Sequence, residues 1–303
     1  MIEKYVKKLI KNLPLSHKKE TIDLILDGGV FNGSYQIGSL YFLKEMENQQ
    51  KIKIDKFSGC SIGAICAVLY FINKLNLSLE FYNISINCLK ENKNLNSLHT
   101  YIDTILKPLL PVDIHKQISN KIYISYYNIK THKKIIRSKY KSVNDVITSL
   151  KRSSFFPFLI NGNPTFDKYY IDGIYPHILN CEPNKKVLYI SLFTYDKIEY
   201  LFSVKNEKSN YHRILTGLLD IHLFFIKKTN TEMCSYINDW SLYYSLKNKI
   251  IKYVIEKITL YFVVIYIFIK KNIPIEIVNS IFMKILHKFW TEIYELLIDN
   301  YCF

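Results

Sequence analysis

Residues 21–33 read TIDLILDGGVFNG, and residues 57–71 read FSGCSIGAICAVLYF. In the first stretch Ile22, Leu24, Ile25 and Leu26 form a short apolar run that stops at a glycine pair, as strands buried on both faces of a parallel sheet do. From Gly33 to Glu47, Tyr35, Ile37, Leu40, Tyr41 and Leu43 recur at steps of three and four, which predicts a helix with one packed face. The second stretch repeats the scheme, a short strand entering a glycine turn at 59–63 and then a helix rich in Ala, Ile and Leu. Two successive units of strand, glycine loop and helix predict an α/β fold built on a parallel sheet.

Outward from this pair, KIYISYYNI (121–129), KKIIRS (133–138), KVLYISLF (186–193) and KIEYLFSV (197–204) read as strands. VNDVITSLKRSSFF (143–156) reads as a helix that ends before Pro157, and 78–119 as two or three short helices interrupted by Pro108 and Pro111. From about residue 209 the strand signal disappears. Between Ile275 and Asp299, a stripe including Ile277, Val278, Ile281, Phe282, Ile285, Phe289, Trp290 and Leu297 lies opposite Lys284, Lys288, Glu292 and Glu295. The expected organisation is a basic amphipathic helix within 1–20, an α/β unit over 21–208 and a helical C-terminal region over 209–303.

The 303 residues are 49% hydrophobic with a mean hydropathy of +0.01, which excludes a disordered chain. Lys and Arg total 41 against 26 acids, a net charge of +15. That surplus suits an anionic membrane or reflects a coding bias toward Lys, Asn, Ile, Tyr and Phe. Nucleic acid is not expected as a partner, since Arg137, Arg152 and Arg213 are the only arginines and base-edge readout leans on the guanidinium fork. The six cysteines contain no CxxC pair and no zinc-ligand spacing, so no metal is expected and the thiols read as reduced. The N-terminus lacks the apolar core of a signal peptide, and the expectation is an intracellular, cytoplasmic protein with a peripheral membrane contact. Ile258 to Ile269 is the longest uncharged apolar run, too short for a transmembrane helix. Both it and the N-terminal helix are open to two readings, packing on the core or lying in a lipid interface.

Six of the nine glycines fall between 28 and 63, at the two strand-to-helix junctions, where the backbone needs positive φ or close approach. Gly59-Cys60-Ser61-Ile62-Gly63 is a GxSxG between strand and helix, the arrangement of a nucleophile elbow that lifts a serine Oγ above the sheet edge. Asp27 to Gly33 offers amides at a helix N-terminus. A dinucleotide fingerprint would need glycine at 30, where the chain has valine, whereas an oxyanion hole needs amides beside a nucleophile one strand away. Asp172-Gly173 ends a short apolar strand and either presents a carboxylate at the same edge or forms a simple turn. The eight histidines show no motif. His177, His212 and His222 are the candidate bases if the chain is instead an esterase with a Ser-Asp-His triad.

In order and spacing over roughly residues 20–195, DGGVFNG, GCSIG and Asp172-Gly173 resemble the patatin-like phospholipase family, and the loop FNGSYQIG is similar to that of divergent members found in large DNA viruses. The resemblance implies a three-layer α/β/α sandwich of patatin type and a Ser61–Asp172 dyad without histidine. It further implies an oxyanion hole from the amides of Gly28, Gly29 and Val30, motif glycines at Gly33, Gly59, Gly63 and Gly173, and phospholipase A-like hydrolysis of a phospholipid or other lipid ester with no cofactor. Three positions depart from the family pattern: Val30 replaces a third glycine, Asn32 a basic residue, and Ile174 a small one. These departures, with a basic and aromatic chain, also motivate a reading as an inactive membrane-binding protein.

Overall fold

The computed structural model describes residues 2–14, 19–193, 199–201, 203, 204, 207, 209–274 and 280–299. Its centre is a sheet of seven strands, β1 (Glu20–Leu26), β2 (Ile52–Cys60), β3 (Ile122–Asn128), β4 (Lys133–Arg137), β5 (Tyr170–Asp172), β6 (Lys186–Ile190) and β7 (Cys234–Tyr236). The order is β4-β3-β2-β1-β6-β7, with β5 on β3. The four central strands β3, β2, β1 and β6 are parallel, while β4, β5 and β7 pair antiparallel at the margins.

Alternation along the strands sends side chains to two helical layers. On one face Leu24 and Leu26 meet Leu40 and Leu43 of α2 (Gly33–Asn48), Ile65 and Val68 of α3 (Ile62–Phe71), Leu150 of α5 (Val143–Ser153) and Leu218 of α6 (Tyr211–Lys227). The helix α4 (Leu77–Asn92) precedes α5 and frames a smaller cluster with Tyr82, Ile86 and Leu89. On the other face Ile25, Val187 and Tyr189 pack with Leu179, and Tyr127, Ile129 and Ile171 with Leu260 and Val263 of α7 (Leu242–Asn272). The result is a three-layer α/β/α sandwich. At the N-terminus α1 (Ile2–Lys11) buries Val6 and Ile10 in the first of these cores and turns Lys4, Lys7, Lys8 and Lys11 outward.

Two expectations need correction. Strand structure does not end at 209, because Cys234–Tyr236 pairs with Leu188–Ile190. It was hidden by its length, three residues being too few to show alternation. KIEYLFSV is not a strand over its described part, since Glu199–Leu201 forms a 3-10 turn; residues 197, 198 and 202 lie outside the described residues. The last helix, α8, runs Ile281–Leu297, and Ile277 and Val278 lie outside the described residues, as do the side chains of Phe282 and Leu297. Cys60, Cys66, Cys88, Cys181 and Cys234 are free thiols, and Cys302 is outside the described residues.

Helix α6 is bound into the α/β core by backbone contact. A Cβ added at Gly217 would fall 1.9 Å from the Tyr35 carbonyl oxygen, and one at Gly38 would fall 1.9 Å from that of Ile214. Ser39 Oγ donates to the Gly217 carbonyl at 3.0 Å across the same crossing. Gly217→Ala should therefore force the helices apart and destabilise the fold by about 2–3 kcal/mol or more. Gly162→Ala is the control: with φ +75° and no atom within 4 Å of the added Cβ, it should cost about 1–2 kcal/mol from backbone conformation alone. Urea unfolding midpoints of the two variants measure the difference.

Candidate active site

The strand pairings bring the two predicted side chains together. Cys60, the last residue of β2, is partnered by Ser125 of β3, and the next residue of β3, Tyr126, is partnered by Asp172, the last residue of β5. Strands β2 and β5 thus occupy one edge of β3 end to end, running toward each other. Ser61, just past β2, comes beside Asp172 there, close enough for its hydroxyl to favour the ionised Asp172 carboxylate.

Ser61 is held at φ 52°, ψ −130°, a conformation that costs a non-glycine residue about 1–3 kcal/mol. Its N–H donates to Ser153 Oγ at 2.9 Å and to the Ser153 carbonyl at 3.1 Å, and Ser153 Oγ in turn donates to the Ser125 carbonyl at 2.7 Å. Its carbonyl accepts from Ala64 at 3.1 Å, opening α3. The flanking glycines serve close approach. A Cβ at Gly63 would lie 2.5 Å from the carbonyl oxygens of Leu26 and Asp27, and one at Gly59 would lie 2.7 Å from the Ala64 nitrogen. At Gly173 it would lie 2.4 Å from the Ser125 oxygen, and at Gly33 2.3 Å from Ile62 Cγ1.

The DGG loop lies against the serine. A Cβ on Gly28 would be 3.2 Å from both Ser61 Cβ and Cys60 Sγ. Val30 adopts φ 41°, the left-handed region that valine avoids, at the start of the turn Val30–Asn32. Among the described residues the amides of Gly29 and Val30 donate to no backbone carbonyl. Asp27 anchors the loop from beneath. Its buried carboxylate accepts from Tyr189 Oη at 2.5 Å, Ser191 Oγ at 3.2 Å and the Leu192 amide at 3.2 Å, with Lys252 Nζ of α7 at 3.7 Å.

Burial raises the Asp172 pKa to about 6, against the neighbouring Ser61 hydroxyl, the hydrogen bond from the Ile174 amide (2.7 Å) and the charge of Lys134. Burial also lowers the pKa of Lys134, whose ammonium pairs with Glu256 of α7 at 3.1 Å and lies 3.3 Å from the centre of the Tyr175 ring. Beside the serine, Ile62, Ile65, Leu69, Phe81, Leu98 and Leu159 line an apolar cavity onto which Ser61 opens.

Several of these groups were not anticipated from the sequence. Ser153 carries no motif. Arg213, one of only three arginines, is fully buried and donates to Asn32 Oδ1 at 2.9 Å, to the carbonyls of Tyr200 and Ser203 at 2.7 Å each, and to Glu207. A cation from α6 thereby reaches the loop position at which Asn32 departs from the family pattern. The histidines are placed elsewhere: His212 is exposed beside Glu207 at 3.3 Å, His222 packs edge-on to Phe42, and the His177 ring lies against Tyr123. Among the described residues no group of three His, Cys, Asp or Glu side chains could hold a metal ion.

The model of the patatin-like phospholipase family matches residues 24–175, half of the chain. The chain belongs to the patatin-like phospholipase family. Mouse 1-acylglycerol-3-phosphate O-acyltransferase Pnpla3 is 29% identical over 154 residues, covering 47% of this chain and 37% of that protein. Mouse omega-hydroxyceramide transacylase is 24% identical over 178 residues, covering 55% and 29%. The chain thus spans about a third of the length of these curated relatives. The solved structure of VipD from Legionella pneumophila is similar at 16% identity and a TM-score of 0.31, over 59% of this chain and 55% of that one.

The raised pKa of Asp172 has a stability consequence. The folded state holds a proton up to about pH 6 that the unfolded chain releases near 3.8, so the group's favourable contribution is complete below about pH 4 and is lost as pH rises through 6. Above that, the buried charge costs up to about 3 kcal/mol. Asp172→Asn should therefore be more stable than the wild type at pH 7.5, and the gain should vanish near pH 4. Denaturant titrations at the two pH values read this directly.

Proposed function

We propose that this patatin-like protein is a lipid acyl hydrolase of phospholipase A type, working through Ser61 and Asp172. The observation that carries the reading is that the strand register sets the Ser61 hydroxyl beside a buried carboxylate whose pKa is raised to about 6, a base matched to neutral pH. Ser61 Oγ attacks the ester carbonyl as Asp172 takes its proton. The carbonyl oxygen becomes an oxyanion beside the amides of Gly29 and Val30, and Gly28 leaves the space that lets this loop approach the serine. Collapse of the intermediate breaks the ester bond, and Asp172 returns the proton to the departing alcohol. Water, deprotonated by the same carboxylate, then releases the fatty acid and restores the serine. The apolar cavity beside Ser61 receives the acyl chain.

A second outcome of the same acyl-enzyme is supported by the names of the mouse relatives, an acyltransferase and a transacylase. A lipid hydroxyl in place of water accepts the acyl group, and the dyad chemistry is otherwise unchanged. The placement of Ser61 beside Asp172 argues against a histidine-relayed triad.

Mixed phospholipid vesicles with a labelled acyl chain separate these outcomes by product, free fatty acid against newly acylated lipid. Ser61→Ala should reduce both by at least about a thousandfold, as should Asp172→Asn, with the fold intact. The wild-type rate should fall on the acid side with a midpoint near pH 6, where Asp172 is protonated and no longer a base. Turnover surviving in Ser61→Ala would remove the dyad, and no product from any lipid would favour an inactive binding protein.

A further inference from the structure

Helix α7 has two faces of opposite character. Glu256, Leu260 and Val263 lie on one stripe and are buried against the sheet, and Lys252 and Lys257 turn the same way, toward Asp27 with Tyr189 and toward Tyr127. The rest of the helix presents large apolar side chains to the outside, with Ile258, Phe262 and Phe268 exposed to 65%, 63% and 67%. A monomeric soluble protein rarely leaves so long an apolar strip uncovered. The ionic groups on this outer side have one sign. Lys247 and Lys249 stand exposed before the apolar stretch and Lys270 and Lys271 after it, whereas Glu256, the helix's single acid, is buried and neutralised by Lys134. Among the described residues no helix is long and apolar enough to cross a membrane.

We propose that the outer face of α7 docks on an anionic lipid surface, the helix lying along it with its apolar side chains inserted and its terminal lysines at the headgroups. Apolar burial and lysine attraction together are the recognised requirements of such a helix. A protein partner or a second copy would have to match four lysines with carboxylates. The position of the face relative to the site is the second argument. Phe158 packs against Phe262 and Tyr266 of α7, with ring centroids 6.0 and 4.8 Å apart, and its neighbours Phe156 and Leu159 line the cavity onto which Ser61 opens. Docking through α7 therefore places the cavity rim at the lipid surface. The proposal rests on the reading of the site as a lipid acyl hydrolase for its purpose, though not for its test.

The test is sedimentation of the full chain with phosphatidylcholine vesicles, with and without phosphatidylserine, at low and high salt. Binding should require phosphatidylserine and weaken with salt. It should fall by about tenfold or more in Ile258→Glu/Phe268→Glu and in Lys270→Glu/Lys271→Glu, while hydrolysis of a short-chain soluble ester by these variants stays at the wild-type rate. Ser61→Ala should bind as the wild type does, since docking precedes chemistry. Wild-type levels of vesicle binding in both α7 variants would overturn the proposal. So would a wild type that ignores vesicles and sediments as a dimer which the α7 substitutions convert to monomer. Loss of ester hydrolysis confined to Ser61→Ala and Asp172→Asn, with docking intact, leaves this proposal standing and reports only on the dyad.

Discussion

Along one edge of β3, Ser125 is paired with the last residue of β2 and Tyr126 with the last residue of β5, so two strands running in opposite directions stop where they meet. A strand has one hydrogen-bonding edge on each side, and neither incoming strand can continue past the other. Both chains must leave the sheet at that point. One leaves as the sharp turn at Ser61 and the other as Asp172-Gly173, where a Cβ on the glycine would strike the Ser125 carbonyl. The juxtaposition of hydroxyl and carboxylate is thus a product of sheet register, and a one-residue slip of β5 would turn Asp172 to the opposite face.

Such a turn stores strain, and the surrounding contacts are what hold it. Around the site positive φ values fall on Ser61, Val30 and Ile174, residues that disfavour them, while Gly59 and Gly63 are required by the nearness of other backbone. Ser153 offsets the strain at Ser61 by accepting its amide with both hydroxyl and carbonyl, tying the turn to α5 and through Ser125 back to β3. A site held by strand ends, helix ends and backbone carbonyls is stiff, which suits an oxyanion hole that must be formed before charge develops.

The legible parts of the site were those encoded by local chain geometry. GCSIG and DGGVFNG announce themselves because a strand-to-helix turn needs glycine at fixed places, and Asp172 was readable as the end of a short apolar strand before glycine. The central parallel strands followed from apolar runs. What escaped notice depends on contacts between segments far apart in sequence. β7 is three residues long, and Ser153 is an ordinary helix-ending serine. Arg213 gave a signal by its rarity and Glu256 by standing alone among lysines in an apolar helix, yet neither residue names its partner. A pairing of Arg213 with Asn32 across 181 positions is decided by the helix crossing at Gly38 and Gly217.

Those two residues bear on how the α/β unit and the C-terminal segments depend on each other. The family match ends at residue 175, but the loop at 28–32 is braced by Arg213, and the ammonium of Lys134 is balanced by Glu256. An unpaired buried charge is far costlier than an exposed one. Without Glu256, burial would push the Lys134 pKa down further and favour the neutral amine, removing the positive charge that holds the Asp172 pKa down. The helix whose outer face carries lysines and exposed apolar side chains is therefore the same helix whose inner face pairs with the cation that acts on Asp172. The proposed lipid contact and the proposed acid–base chemistry thus both draw on α7, from opposite sides of one helix.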